Sequence, residues 1–150
     1  MEIEEKEKQK TLQFISFVLE NKIYAIPISY VREINKLYDI TIIPNSEYFI
    51  EGITNLRGEI IPVVNVRKRF GLSDESPVNR KKRKLIIIDY QGSPVGLLVD
   101  GIAEVVKIVA EDIESESSEF KEIGMEFVSA LGKTDKGIIP ILNINKVINK

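Results

Sequence analysis

The chain has 150 residues, 43% of them hydrophobic and 29% charged, with a net charge of −2. That composition fits one soluble domain, or two very small ones sharing a core, with no general attraction to nucleic acid. It has no Cys and no His, which excludes disulfides, thiolate nucleophiles and the commonest metal ligand, and removes the usual general base near neutral pH.

The start, Met1 to Lys10, is polar and lacks an apolar signal-peptide core. The first predicted strand is 12–19, rich in β-branched and aromatic residues. Glu20-Asn21-Lys22 makes a tight connection to a returning strand, Ile23 to Ile26, which Pro27 ends. Ser29 to Ile34 leads into extended chain, and Ile40 to Ile43 reads as a further strand closed by Pro44. Phe49 to Leu56 and Glu59 to Val64 form a hairpin around Arg57-Gly58. Asn65 can cap a short helix, 66–70, stopped by Gly71. A polar connector, 71–83, follows. No apolar run approaches the roughly 20 residues of a spanning helix, so a cytoplasmic protein with no direct membrane insertion is expected.

After the connector the pattern restarts. Leu85 to Ile88 matches Phe14 to Phe17, Gly96 to Val99 matches Ala25 to Ile28, and Ile102 to Val105 matches Val31 to Ile34. Glu59-Ile-Ile-Pro-Val-Val-Asn-Val-Arg-Lys68 returns as Gly137-Ile-Ile-Pro-Ile-Leu-Asn-Ile-Asn-Lys146. The offset is 71 residues from Glu33 to Glu104 and 78 from Pro62 to Pro140, so the second copy has gained seven residues between those points, in the acidic stretch 111–126. Such self-similarity marks a duplicated scaffold. The reading is all-β: two five-stranded SH3-like barrels side by side with short helical turns, in lobes of about 12–70 and 84–148. A single continuous sandwich is the alternative. Both faces of 85–88 are apolar, which predicts packing on each side, at a seam between lobes.

Only the first copy carries the Asn55-Leu56-Arg57-Gly58 hairpin. An Arg at a strand end is best used against a carboxylate, whose two oxygens match its planar fork, and Glu33 is the candidate. A solvated hairpin Arg is the plain alternative. Gly52 permits a bulge or the close approach of another backbone, or is simply a strand-start glycine. The basic run 79–84 lacks interleaved aromatics and reads as a solvated connector rather than a nucleic-acid site. The acidic run 111–119 fails the EF-hand pattern, with Ser117 at the glycine position and Ile123 at the closing Glu. Asp89, Asp100 and Asp112 are dispersed, with no paired-carboxylate cleft, and no glycine-rich loop cradles a phosphate. No enzyme, metal or cofactor is expected.

The stretch Phe49 to Val66, with Val31-Arg-Glu33-Ile34 and Val95 to Gly101, resembles the CheW family of bacterial chemotaxis coupling proteins. The resemblance covers roughly 12–148. It implies two five-stranded SH3-like barrels and a non-catalytic adaptor that links the cytoplasmic tips of methyl-accepting receptors to the regulatory domain of the histidine kinase CheA, recruited to membrane receptor arrays. The receptor-facing surface it implies is Ile28, Val31, Glu33, Gly52, Leu56, Arg57 and Gly96, with Glu33 and Arg57 as an ion pair.

Overall fold

The computed structural model describes residues 10–73, 82–115 and 126–149. Among them the chain forms eleven strands: β1 (Thr11–Leu19), β2 (Lys22–Pro27), β3 (Val31–Lys36), β4 (Ile50–Leu56), β5 (Glu59–Asn65), β6 (Lys84–Tyr90), β7 (Ser93–Val99), β8 (Gly101–Val109), β9 (Ile113–Ser115), β10 (Val128–Thr134) and β11 (Gly137–Leu142). Two short helices, α1 (Val66–Arg69) and α2 (Ile144–Ile148), end the two repeats. The duplication is exact at these helices: Asn65 accepts from the Lys68 amide at 3.1 Å, and Asn143 from the Lys146 amide at 3.2 Å. Each Asn side chain satisfies one orphan donor of its first turn.

The strands form two sheets, in the orders β8-β1-β2-β11-β10-β9 and β3-β6-β7-β5-β4. This corrects the expected lobes. Neither sheet is built from one half of the chain, because the first two strands of each repeat sit in the other repeat's sheet. The exchange is reciprocal. Phe17 pairs with Ile102 and Ile88 with Val31; Ala25 pairs in parallel with Ile141 and Gly96 with Val63. Each pairing is the image of the other under the repeat offsets. A period-2 pattern says which face a strand buries, not which strand lies beside it, and a parallel partner needs only a long crossover, which the chain supplies to the far half.

Each sheet curls on itself. In the five-stranded sheet the chain leaving β3 crosses to the free edge of β4, where Thr41 and Ile53 exchange two backbone hydrogen bonds of 2.8 Å. The strand expected over 40–43 is thus a single bridge at Thr41; Ile42 beyond it is exposed. In the six-stranded sheet β8 packs over β10, so that a Cβ on Gly132 would lie 2.6 Å from Ile108 Cδ1. The sixth strand, β9, pairs with β10 where Thr41 bridges Ile53 in the other sheet, with Glu114 opposite Leu131, the image of Ile53; residues 116–125 of the acidic stretch lie outside the described residues.

Three apolar clusters follow. Phe14, Ala25, Ile108, Ala130, Ile139 and Ile141 fill the six-stranded barrel; Leu56, Ile61, Val63, Leu85, Ile87 and Leu98 fill the other. The largest lies between them and takes Phe17, Leu19, Phe49, Val66, Ile86, Ile88, Leu142 and Val147 among others. Strand β6 therefore packs on both faces, as its sequence predicted: Leu85 and Ile87 into one barrel, Ile86 and Ile88 into the seam. Each such side chain removed from water contributes about 1.5–3 kcal/mol.

Candidate functional site

The β4–β5 hairpin turns on two residues, both at positive φ: Arg57 at 51° and Gly58 at 85°. That is the pairing whose twist matches antiparallel strands. Asn55 Oδ1 accepts from the Gly58 amide at 3.0 Å and holds the turn. On the facing edge, β3 carries a bulge: Val31 pairs with Ile88 and Glu33 with Ile87, leaving Arg32 extra. A bulge re-aims consecutive side chains, and here both reach the same hairpin. Arg57 Nη2 donates to Glu33 Oε2 at 2.5 Å, while Arg32 Nη1 donates to Glu59 Oε1 at 3.2 Å and its Nη2 lies 3.5 Å from Asp89. The side chain of Arg57 is 69% exposed and that of Glu33 27%. The pair thus joins the two edges of the five-stranded sheet at its accessible rim.

Asn35 Nδ2 donates to the second oxygen of Glu33 at 2.5 Å. The Asn35 and Arg57 hydrogen bonds, in that order, hold the Glu33 carboxyl below the usual glutamate range. A depressed carboxylate makes its contribution above its unfolded pKa and loses it as pH falls through the folded value. Asn35→Ala is therefore expected to move the Glu33 titration, followed by carboxyl-carbon NMR, up toward the ordinary glutamate value. An unmoved midpoint would assign the shift to Arg57 alone.

The other predicted residues do not share one exposed face. Ile28, in the 3₁₀ turn Ile28–Tyr30, and Val31 are half-buried against the seam cluster. Leu56 is buried inside the five-stranded barrel. Gly96 is buried on β7, where a Cβ would stand 3.0 Å from Leu85. Gly52, at φ 148°, lies at the bulge of β4 under the Thr41 bridge; a Cβ there would meet the Thr41 carbonyl oxygen at 2.2 Å. The close-approach reading of this glycine is the one the structure supports.

Sequence reasoning missed three arginines. Arg32 could have been found from its place beside Glu33. Arg67 is 1% exposed and grips Asp100 through two bonds, Nε–Oδ1 at 2.6 Å and Nη2–Oδ2 at 2.7 Å. It also donates to Glu20 at 2.5 Å and to the Ser73 carbonyl at 2.8 Å, and the Glu20 amide donates to Asp100 at 2.9 Å. Arg69 lies over Phe49 and Phe127, at 4.3 and 4.8 Å from the ring centroids, and donates to the Val147 and Lys146 carbonyls at the end of α2. Both span the seam. The basic run also differs from its reading as a solvated connector: Arg83 is buried and Lys84 opens β6, while residues 79–81 lie outside the described residues.

The site is thus a rim of paired charges on a barrel, with no group of carboxylates gathered to hold a metal ion among the described residues. The family model for the CheW-like domain matches residues 13–150. The chain belongs to the CheW family. It is 32% identical to the chemotaxis protein CheW of Treponema pallidum over 91% of this chain and 82% of that one. It is equally identical to that of Thermotoga maritima, over 94% and 90%. The crystal structure of the scaffolding protein TtCheW from Thermoanaerobacter tengcongensis superposes with a TM-score of 0.82 at 35% identity, covering 94% of this chain and 90% of that one. The function is that of the family, a chemotaxis adaptor. No helix among the described residues is long and apolar enough to cross a membrane.

Proposed function

We infer that the chain couples methyl-accepting receptors to the kinase CheA by docking a receptor-tip helix at the Glu33–Arg57 rim, and the kinase's regulatory domain elsewhere on the same barrel. The observation that carries this reading is the ion pair itself: a preset, largely exposed guanidinium at a barrel edge, oriented by a carboxylate that Asn35 holds in place. Ile28 and Val31 offer apolar footing at the seam, which suits a helix laid in a groove. Gly52, Leu56 and Gly96 act from beneath by shaping the strands. The adaptor performs no chemistry; a signal passes as a shift among docked arrangements, each with its own contacts. In the cell this places the cytoplasmic chain in receptor arrays at the membrane.

Arg57→Ala tests it in a pull-down titration against receptor-tip fragments and the CheA regulatory domain. Receptor affinity is expected to fall tenfold or more, about 1.4 kcal/mol. Folding stability should change by no more than about 1 kcal/mol, as for exposed pairs. Glu33→Gln should reproduce part of the loss. A stability loss of core-deletion size, about 2–5 kcal/mol, would make Arg57 structural and remove the rim from the mechanism.

A further inference from the structure

The six-stranded barrel repeats the Glu33–Arg57 arrangement at its own end. Glu104, the repeat image of Glu33, accepts from Lys136 Nζ at 2.9 Å, and Lys136 sits on the two-residue turn between β10 and β11, the image of the Arg57-Gly58 turn. The bulge recurs too: β8 pairs Ile102 with Phe17 and Val105 with Ile15, and the Ser16 hydroxyl closes the extra residue by bonding the Glu104 amide and carbonyl at 3.0 and 2.7 Å. Even the exposed apolar residues match, with Ile138 at 62% answering Ile60 at 54%.

The two ends differ most at the second charge pair of the rim. Where the five-stranded barrel places Arg32 and Glu59, paired across the rim, the six-stranded barrel has Ala103 and Gly137. A cavity of about 780 Å³ opens there, walled by Ile23, Tyr24, Val128, Ile138 and Ile139 with Ser16 among them. Its size is that of a ligand site. Beside it β2 and β11 pair at one position, Ala25 with Ile141, whereas their images β7 and β5 pair at three. The charged residues on its lining are Lys22, Lys136 and Glu104. Glu104 is engaged by Lys136, and Lys22 has no partner among the described residues, so the lining itself is left with one net positive charge, while Asp135 on the same turn stands beside Lys136 and does not line the cavity.

We propose that this cavity is a second docking site, which takes a peptide segment of a partner protein presenting an apolar side chain beside a carboxylate. The apolar side chain fills the space that Arg32 and Glu59 occupy in the other barrel, and the carboxylate answers Lys22. The proposal rests on reading the Glu33–Arg57 rim as a docking surface, since the repeat supplies the likeness.

The test uses the full chain immobilised against random twelve-residue peptides displayed on phage, with enriched peptides then titrated into ¹⁵N-labelled protein. Peptides pairing Asp or Glu with a large apolar residue are expected, shifting the amides of Ser16, Ile23 and Ile138. Ala103→Arg, on an exposed position that rebuilds the other barrel's plug, and Lys22→Glu should each weaken them tenfold or more, and Arg57→Ala should leave them unchanged. Receptor coupling lost in Arg57→Ala, with peptide binding untouched by Ala103→Arg, overturns the proposal while the rim reading stands. Enrichment of basic peptides or of none also overturns it. So does a parallel titration in which dodecanoate alone moves these amides, which would make the cavity a site for amphipathic acids.

Discussion

Replacing Arg67 by alanine is expected to destabilise the chain by about 3–5 kcal/mol, the cost of leaving a buried charge without its partner. Arg67 is almost fully buried, and its guanidinium is the junction of three segments: the β1–β2 turn through Glu20, the β7–β8 corner through Asp100, and the start of the connector through Ser73. Asp100 is buried with it and keeps one further donor, the Glu20 amide, which cannot neutralise its charge. At roughly 2–4 °C per kcal/mol for a domain of this size, the thermal midpoint should drop by about 10 °C, measurable by calorimetry. Asp100→Asn should show a loss of the same order, and the double variant Arg67→Met/Asp100→Leu a much smaller one. A loss under about 1 kcal/mol in Arg67→Ala would mean that water takes the place of the guanidinium at Asp100, contrary to the burial of both.

Gly52→Ala should cost about 3 kcal/mol or more, from two sources that add. Alanine at φ 148° occupies backbone space that is essentially reserved for glycine. Its methyl would also lie 2.2 Å from the Thr41 carbonyl oxygen and 2.7 Å from Ile40 Cγ2, and a backbone oxygen has no rotamer by which to move aside. The bridge between Thr41 and Ile53 must open, and with it the closure of the five-stranded sheet. The readout is a urea titration together with amide exchange at Thr41 and Ile53. A variant that keeps both bridge amides protected and loses less than about 1 kcal/mol would show that the 37–49 segment shifts freely, and that Gly52 is not what seats it.

These two sites mark the boundary of what the amino-acid sequence reveals. Apolar alternation located β1, β2, β4 and β5 within a residue or two, though not the single bridge at Thr41, and the repeat located both capped helices, because faces, turns and caps are local properties. The seam was legible at β6, where consecutive apolar residues require two buried faces. Glu33 and Arg57 were legible as partners through the resemblance and an Arg's need for a carboxylate, though only the fold brings them to 2.5 Å. Arg67 was not legible. It stands in Arg67-Lys68-Arg69, which reads as a solvated basic turn, and nothing local separates it from Lys68. Its burial is decided by Asp100, which stands 33 positions away and looked like one of several dispersed carboxylates. Strand exchange escaped for the same reason: pairing between halves is a property of the assembled chain.

That exchange sets the order in which a chain leaving the ribosome can fold. The five-stranded sheet has all its members once β7 has emerged. The six-stranded sheet begins with β1 and β2, the first strands of the fold to emerge, yet waits for β11, the last of them, to lie beside β2. At about 5–20 residues per second, β1 and β2 spend several seconds as a hairpin whose outer edges have no partners. The half that carries the Glu33–Arg57 rim is therefore complete first and offers the seam face of β6 as the template on which the older strands settle. The last strand of the fold to emerge closes its oldest part.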